Sequence, residues 1–142
     1  MTDQSQHAVD LFTQGHNCAQ AVLAAYAPQI GLTQDQALRL AIGLGGGIAR
    51  TRETCGAALA MILLVGYTTG PTDKTAAYTL GQKLLDAFKA ANHGTCLCRQ
   101  LLQLPPNTPT TPTPEPRTPQ YYHKRPCAEQ VRLAAQLIAQ YL

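Results

Sequence analysis

Apolar residues recur along nearly the whole chain at helical spacing, and strand-like alternation is almost absent. Residues 3–14 place Ala8, Leu11 and Phe12 on one face, with Val9 beside them, before Gly15 interrupts. Asn17 is a good N-cap for a second helix over 18–27. That helix is made of Ala, Val, Leu and Tyr almost throughout, which predicts burial, and Pro28 and Gly31 mark its end. Thr33-Gln-Asp-Gln36 fits a capping box and predicts a third helix over 34–43. A glycine-rich turn, Gly43 to Gly47, ends it. A polar collar from Arg50 to Thr54 follows, and Cys55 opens an apolar run through Val65. With Thr54 as cap, this run predicts a fourth helix, buried on all sides and closed near Gly66. The glycines are expected to let the third and fourth helices meet closely. The run is too short to span a bilayer.

Gly70-Pro71-Thr72-Asp73 reads as a turn and a helix start. The fifth helix, over 73–92, has an inner stripe of Ala77, Leu80, Leu84, Leu85 and Phe88. Asn92-His93-Gly94 is a stop signal, and Thr95 can cap a short sixth helix over 96–103. The chain then changes character. Seven of the fifteen residues from Pro105 to Pro119 are proline and five are threonine. Such a segment favours extended polyproline II structure and can reach roughly 45 Å. It reads as an exposed connector; a proline-rich recognition arm is the alternative. A last helix starts near Pro126 and carries Cys127, Val131, Ala134, Ala135 and Ile138 on one face. That face must dock, so the connector should return the helix to the core. The prediction is an all-α single domain, residues 1–142, of six or seven helices.

A chain of 142 residues is long enough for one real core. The net charge of +3 is too small to argue for nucleic acid or membrane. The first residues, Met-Thr-Asp-Gln-Ser-Gln-His, lack the basic and apolar regions of a secretory signal, so the expectation is a soluble, cytoplasmic chain. The glycine turn lacks the Gly-Lys-Ser/Thr ending of a phosphate-binding loop and follows a helix, which fails the Rossmann context. Tyr121-Tyr-His-Lys-Arg125 resembles a nucleic-acid patch only weakly.

The five cysteines carry the candidate chemistry. Cys18 follows the Asn17 cap, Cys55 follows Thr54, Cys96 and Cys98 follow Thr95, and Cys127 follows Pro126. Each is therefore expected in the first turn of a helix, where the helix dipole stabilises a thiolate. Apolar filler cysteines would fall in helix middles as often as at starts, so a shared redox or metal site is favoured over scattered structural thiols. The spacing is not that of a zinc finger or a Cys-x-x-Cys redox motif. Cys96 and Cys98 would point about 200° apart on a helix, so only one readily faces inward. Cys98 shares a face with Leu101 and Leu102 and is the better candidate. His16, His93 and His123 lie near cysteines but in loops; His16 is the least improbable ligand among them. Arg50 and Arg52 could steer a small anion to the site.

Asn17-Cys18-Ala-Gln-Ala-Val-Leu, then Gly-Leu-Gly-Gly-Gly with Glu53-Thr-Cys55-Gly-Ala, then Cys98-Arg-Gln-Leu-Leu, then Cys127 before a closing helix, resembles the C_GCAxxG_C_C family of redox-active four-cysteine proteins. The resemblance maps the family's cysteines onto Cys18, Cys55, Cys98 and Cys127 and leaves Cys96 without a counterpart. The family's later glycine in the central motif is Ala60 here. The resemblance implies redox or metal chemistry without a substrate, so the chain reads as an oxidoreductase or an electron-transfer protein. In one form, cysteine pairs cycle between dithiol and disulfide, with Cys55 as the attacking thiolate. In the other, the four thiolates hold an iron–sulfur cluster or another soft metal. The competing readings are a structural zinc site stapling helix ends and a helical interaction module with incidental thiols. The expected partner is a redox protein or a small thiol; a homodimer is compatible with the sequence.

Overall fold

Helix α2 (Cys18–Tyr26) is the element that the others surround. Every residue from Ala19 to Tyr26 is buried, because its alanines admit close neighbours and no charge interrupts it. Its start is fixed by a reciprocal cap. Asn17 accepts from the Gln20 backbone N–H at 2.9 Å, and the Gln20 side chain accepts from the Asn17 N–H at 3.0 Å. Helices α1 (Ser5–Thr13), α3 (Gln34–Ala41), α4 (Gly56–Thr69) and α8 (Cys127–Tyr141) pack directly on it. Helix α5 (Lys74–Ala90) packs on α4 and α8. Helices α6 (Cys98–Leu101) and α7 (Pro119–Lys124) are short.

This computed structural model describes all 142 residues. They form eight α-helices, two short 3-10 turns (Ala27–Ile30 and Ile42–Leu44) and no strand. A lone antiparallel bridge joins Thr54 to Leu97. No helix is long and apolar enough to cross a membrane. The all-α expectation holds. The expected fifth-helix stripe is in place around buried Leu84 and Phe88. On α8, Val131, Ala134, Ala135 and Ile138 are fully buried, so the connector does return this helix to the core. The Tyr26 hydroxyl donates to the Ala135 carbonyl at 2.6 Å and ties α2 to α8.

The structure differs from the sequence reading in several places. The count rises to eight because α7 lies at the end of the proline-rich segment. Thr118 caps it by accepting from the Tyr121 N–H at 3.2 Å, and Pro119 suits its first position. Helix α4 is not buried all round. It runs on to Thr69, and Leu63 and Tyr67, one turn apart, are 47% and 56% exposed on the face turned away from its neighbours. The glycine turn does not press α3 against α4; its backbone meets Asn17 and Cys98 instead. The proline-rich segment is more than an exposed connector. Arg50 donates to the Thr111 carbonyl at 2.7 Å, and Arg117 donates to the carbonyls of Phe12 and His16 at 2.9 Å each.

Candidate functional site

Four helix starts converge. Cys18 opens α2, Cys55 is the N-cap of α4, Cys98 opens α6 and Cys127 opens α8. All four side chains line one cavity of about 60 Å³, room for roughly two water molecules. Leu101 and Leu102 line it beside Cys98, as their shared helical face predicts. Cys96 does not. The sixth helix begins at Cys98 rather than at 96, which leaves Cys96 in the preceding segment, its carbonyl accepting from the Cys55 N–H at 2.8 Å.

The approach to Cys55 has an unusual backbone. Gly46, Gly47, Ile48, Ala49 and Arg50 all have φ between 51° and 69°, and Arg52 follows at 64°. Left-handed turns of this length are rare, because each side-chain-bearing residue there costs about 1–2 kcal/mol. Backbone hydrogen bonds hold it: Ala49 N–H to Gly43 O at 2.7 Å, and Glu53 N–H to Gly47 O at 2.9 Å. The turn brings the Gly46 N–H to the Cys18 sulfur and the Arg52 guanidinium to within 3.6 Å of the Cys98 sulfur. These glycines are site residues that the sequence reading assigned to helix packing. A Cβ on Gly47 would lie 2.5 Å from the Cys98 Cβ, and one on Gly56 would lie 2.7 Å from the Cys18 Sγ and 2.7 Å from the Leu44 carbonyl. Gly56→Ala is therefore expected to lower stability by about 1–3 kcal/mol and to disturb Cys18. Urea unfolding together with Cys18 alkylation checks this; an unchanged protein on both counts refutes the contact.

The thiols are electrostatically distinct. Cys18 is held down at about 6, first by the neighbouring Cys55 thiol and then, against the opposing effect of burial, by the backbone amides of Gly46, Ala19 and Ala57. Backbone amides aimed at one point favour an anion there. Cys55 is pushed well up, first because its proton bonds Cys18 and then because it is buried. Cys98 is raised by burial, which the Arg52 N–H only partly offsets. Burial and the nearby Cys18 and Cys98 raise Cys127 to about 12. The cavity thus draws one thiol below its ordinary value and pushes three above it.

Arg52, Arg117, Arg125 and Tyr121 complete much of the wall. Arg117 lies over the Phe12 and Tyr121 rings at 4.4 and 4.8 Å, a cation–π stack that fixes it. Gln130 also lines the cavity. Its Nε2 donates to Asn92 at 2.8 Å, while its buried Oε1 has no partner. His16, His93 and His123 stay outside this wall; His16 contributes only its carbonyl, to Arg117. A four-thiolate metal centre needs its donors to converge on one point. Here no three His, Cys, Asp or Glu side chains do so, and the side chains as placed do not fit such a centre.

Helix starts that gather thiols around a single stabilised thiolate define a helical thiol protein. The chain belongs to the family described as "Putative redox-active protein (C_GCAxxG_C_C)", whose model matches residues 16–141. No curated protein and no solved structure matches it.

Proposed function

We propose that Cys18 and Cys55 form a thiol–disulfide redox couple, with Cys18 as the attacking thiolate and Cys55 as the resolving thiol. These roles reverse those expected from the sequence. The observation that carries the reading is that both side chains line one small cavity, where each chiefly shifts the other, Cys18 downward and Cys55 upward.

The step runs as follows for a disulfide substrate. The Cys18 thiolate attacks one sulfur of the substrate, forming a mixed disulfide and expelling the other half as a thiolate. That leaving thiolate takes up a proton. Cys55 loses its proton and attacks the Cys18 sulfur, releasing the second half of the substrate. The protein pair is oxidised by two electrons to a disulfide, and the substrate leaves as two thiols, one taking the Cys55 proton and the other a proton from water. Reversal would make the protein an oxidant. Cys98 and Cys127 line the same cavity.

The test is mild oxidation of the reduced protein, followed by peptide mapping without reduction. The expected product is a Cys18–Cys55 disulfide that returns to two thiols on reduction. Metal and sulfide analysis of anaerobically purified protein accompanies it. Stoichiometric iron with sulfide, or zinc, held by thiols that then resist oxidation, would replace this reading with cluster or structural-metal chemistry.

A further inference from the structure

Above the cysteine cavity lies a wider cleft of about 420 Å³. The two share six wall residues: Asn17, Gly46, Arg52, Arg117, Tyr121 and Arg125. The cleft thus adjoins the thiol cavity. Arg50 joins the other three arginines on its wall. Glu115 is the one carboxylate there; it ion-pairs with Arg125 and lies 3.7 Å from Arg50. Four guanidiniums facing one carboxylate leave a surplus of three positive charges.

These cations are not solvated surface charges. The Arg50 and Arg125 side chains are 18% and 14% exposed, and Arg52 is buried. Each is held in place, Arg50 by Thr111 and Arg117 by two backbone carbonyls. Burial first, then the neighbouring Arg52 and Arg125, work against the charge on Arg50, and Glu115 favours it; a bound anion would offset the repulsion among the arginines. Low-dielectric walls concentrate such a field, and guanidinium forks match carboxylates in two-point contacts. The left-handed turn and the proline-rich segment both line the cleft, so its charge is built by parts of the chain far apart in sequence.

We propose that the cleft admits low-molecular-weight disulfides bearing carboxylate groups, and that Arg50, Arg52, Arg117 and Arg125 select that charge and guide the disulfide bond to Cys18. This rests on the thiol–disulfide reading above and names its substrate class. The cleft has the size of a small-ligand site, and the cavity below takes little beyond the reacting sulfur.

The experiment uses the full-length reduced protein and three disulfides of different charge: dithiodipropionate (anionic), hydroxyethyl disulfide (neutral) and cystamine (cationic). Loss of the Cys18 thiolate is followed by rapid mixing, with each rate divided by that of a free small thiolate under the same conditions. A free thiolate repels an anionic disulfide, so any preference for it comes from the protein. The expected order is anionic, then neutral, then cationic, with roughly tenfold or more between the ends at low salt. The spread should shrink as salt is added. It should fall again in R50Q and R125Q but survive in R50K. The salt series on the unaltered protein decides the matter if either Gln variant misfolds. Equal normalised rates, or cystamine fastest, overturn the anionic selectivity and leave the thiol couple standing. If none of the three yields a Cys18–Cys55 disulfide, the couple itself falls, and this proposal with it.

Discussion

Cys55→Ala is expected to move the pH midpoint of Cys18 alkylation upward, from about 6 toward the ordinary 9.0. The Cys55 hydrogen bond is the largest influence holding Cys18 down, and alanine removes that donor. Cys55→Ser keeps a hydroxyl donor at the position and should hold the midpoint low. The pH profile is a sharper readout than the rate at one pH. Each unit of rise above neutrality lowers the thiolate fraction about tenfold. A more basic thiolate is also more nucleophilic, which gives back roughly threefold per unit. A rate at neutral pH therefore changes modestly while the midpoint moves far. Alkylation by iodoacetamide from pH 5 to 10, in the parent and both variants, measures it. An unmoved midpoint in Cys55→Ala would assign the thiolate to the Gly46, Ala19 and Ala57 amides alone.

The second expected result is a stability maximum near pH 9. Folding lowers the Cys18 value from 9.0 to about 6. Below pH 6 this sulfur is protonated in both states and adds nothing. Between 6 and 9 the folded protein sheds the proton while the unfolded chain keeps it, so stability rises with pH. The full span of three units corresponds to about 4 kcal/mol. Above 9 the sign reverses. Cys127, raised to about 12, and Cys55 and Cys98, also raised, stay protonated in the fold while the unfolded chain ionises them. Their contribution is present below 9 and is lost as pH climbs through the folded values. Urea midpoints from pH 5 to 10 give the curve. Cys18→Ser should flatten its rising limb and soften the alkaline fall, since Cys18 is the first cause of the Cys55 rise and contributes to that of Cys127. A parent protein whose stability is flat from 6 to 9 would mean that Cys18 is not a stabilised thiolate.

Both results turn on contacts between distant parts of the chain, and the sequence displays those unevenly. Helix existence was plain because apolar spacing, the Asn17 and Thr33 caps and the Pro126 start act within a few residues. The four cysteines at helix starts were plain for the same reason, since a cap and its neighbour are adjacent in sequence. Cys96 lies outside the cavity, but not by helical phase, because α6 begins only at Cys98. Helix α7 was missed because Pro119 closes a run whose composition argues against any helix, and only Thr118 signalled otherwise.

The sequence by itself determined an all-helical chain, the four cysteines worth watching and the two arginines beside the glycine turn. The proposed placing of the charge on Cys18 rests on tertiary structure alone. That choice depends on where the Gly46, Ala19 and Ala57 amides and the Cys55 proton point, and Gly46 reaches Cys18 through a left-handed turn that no local propensity favours. Tertiary structure also turned the proline-rich segment from a connector into a wall, because Arg117 and Glu115 find their partners on elements far away in sequence. Local signals set the helices; the charge state of a thiol is a property of everything packed around it.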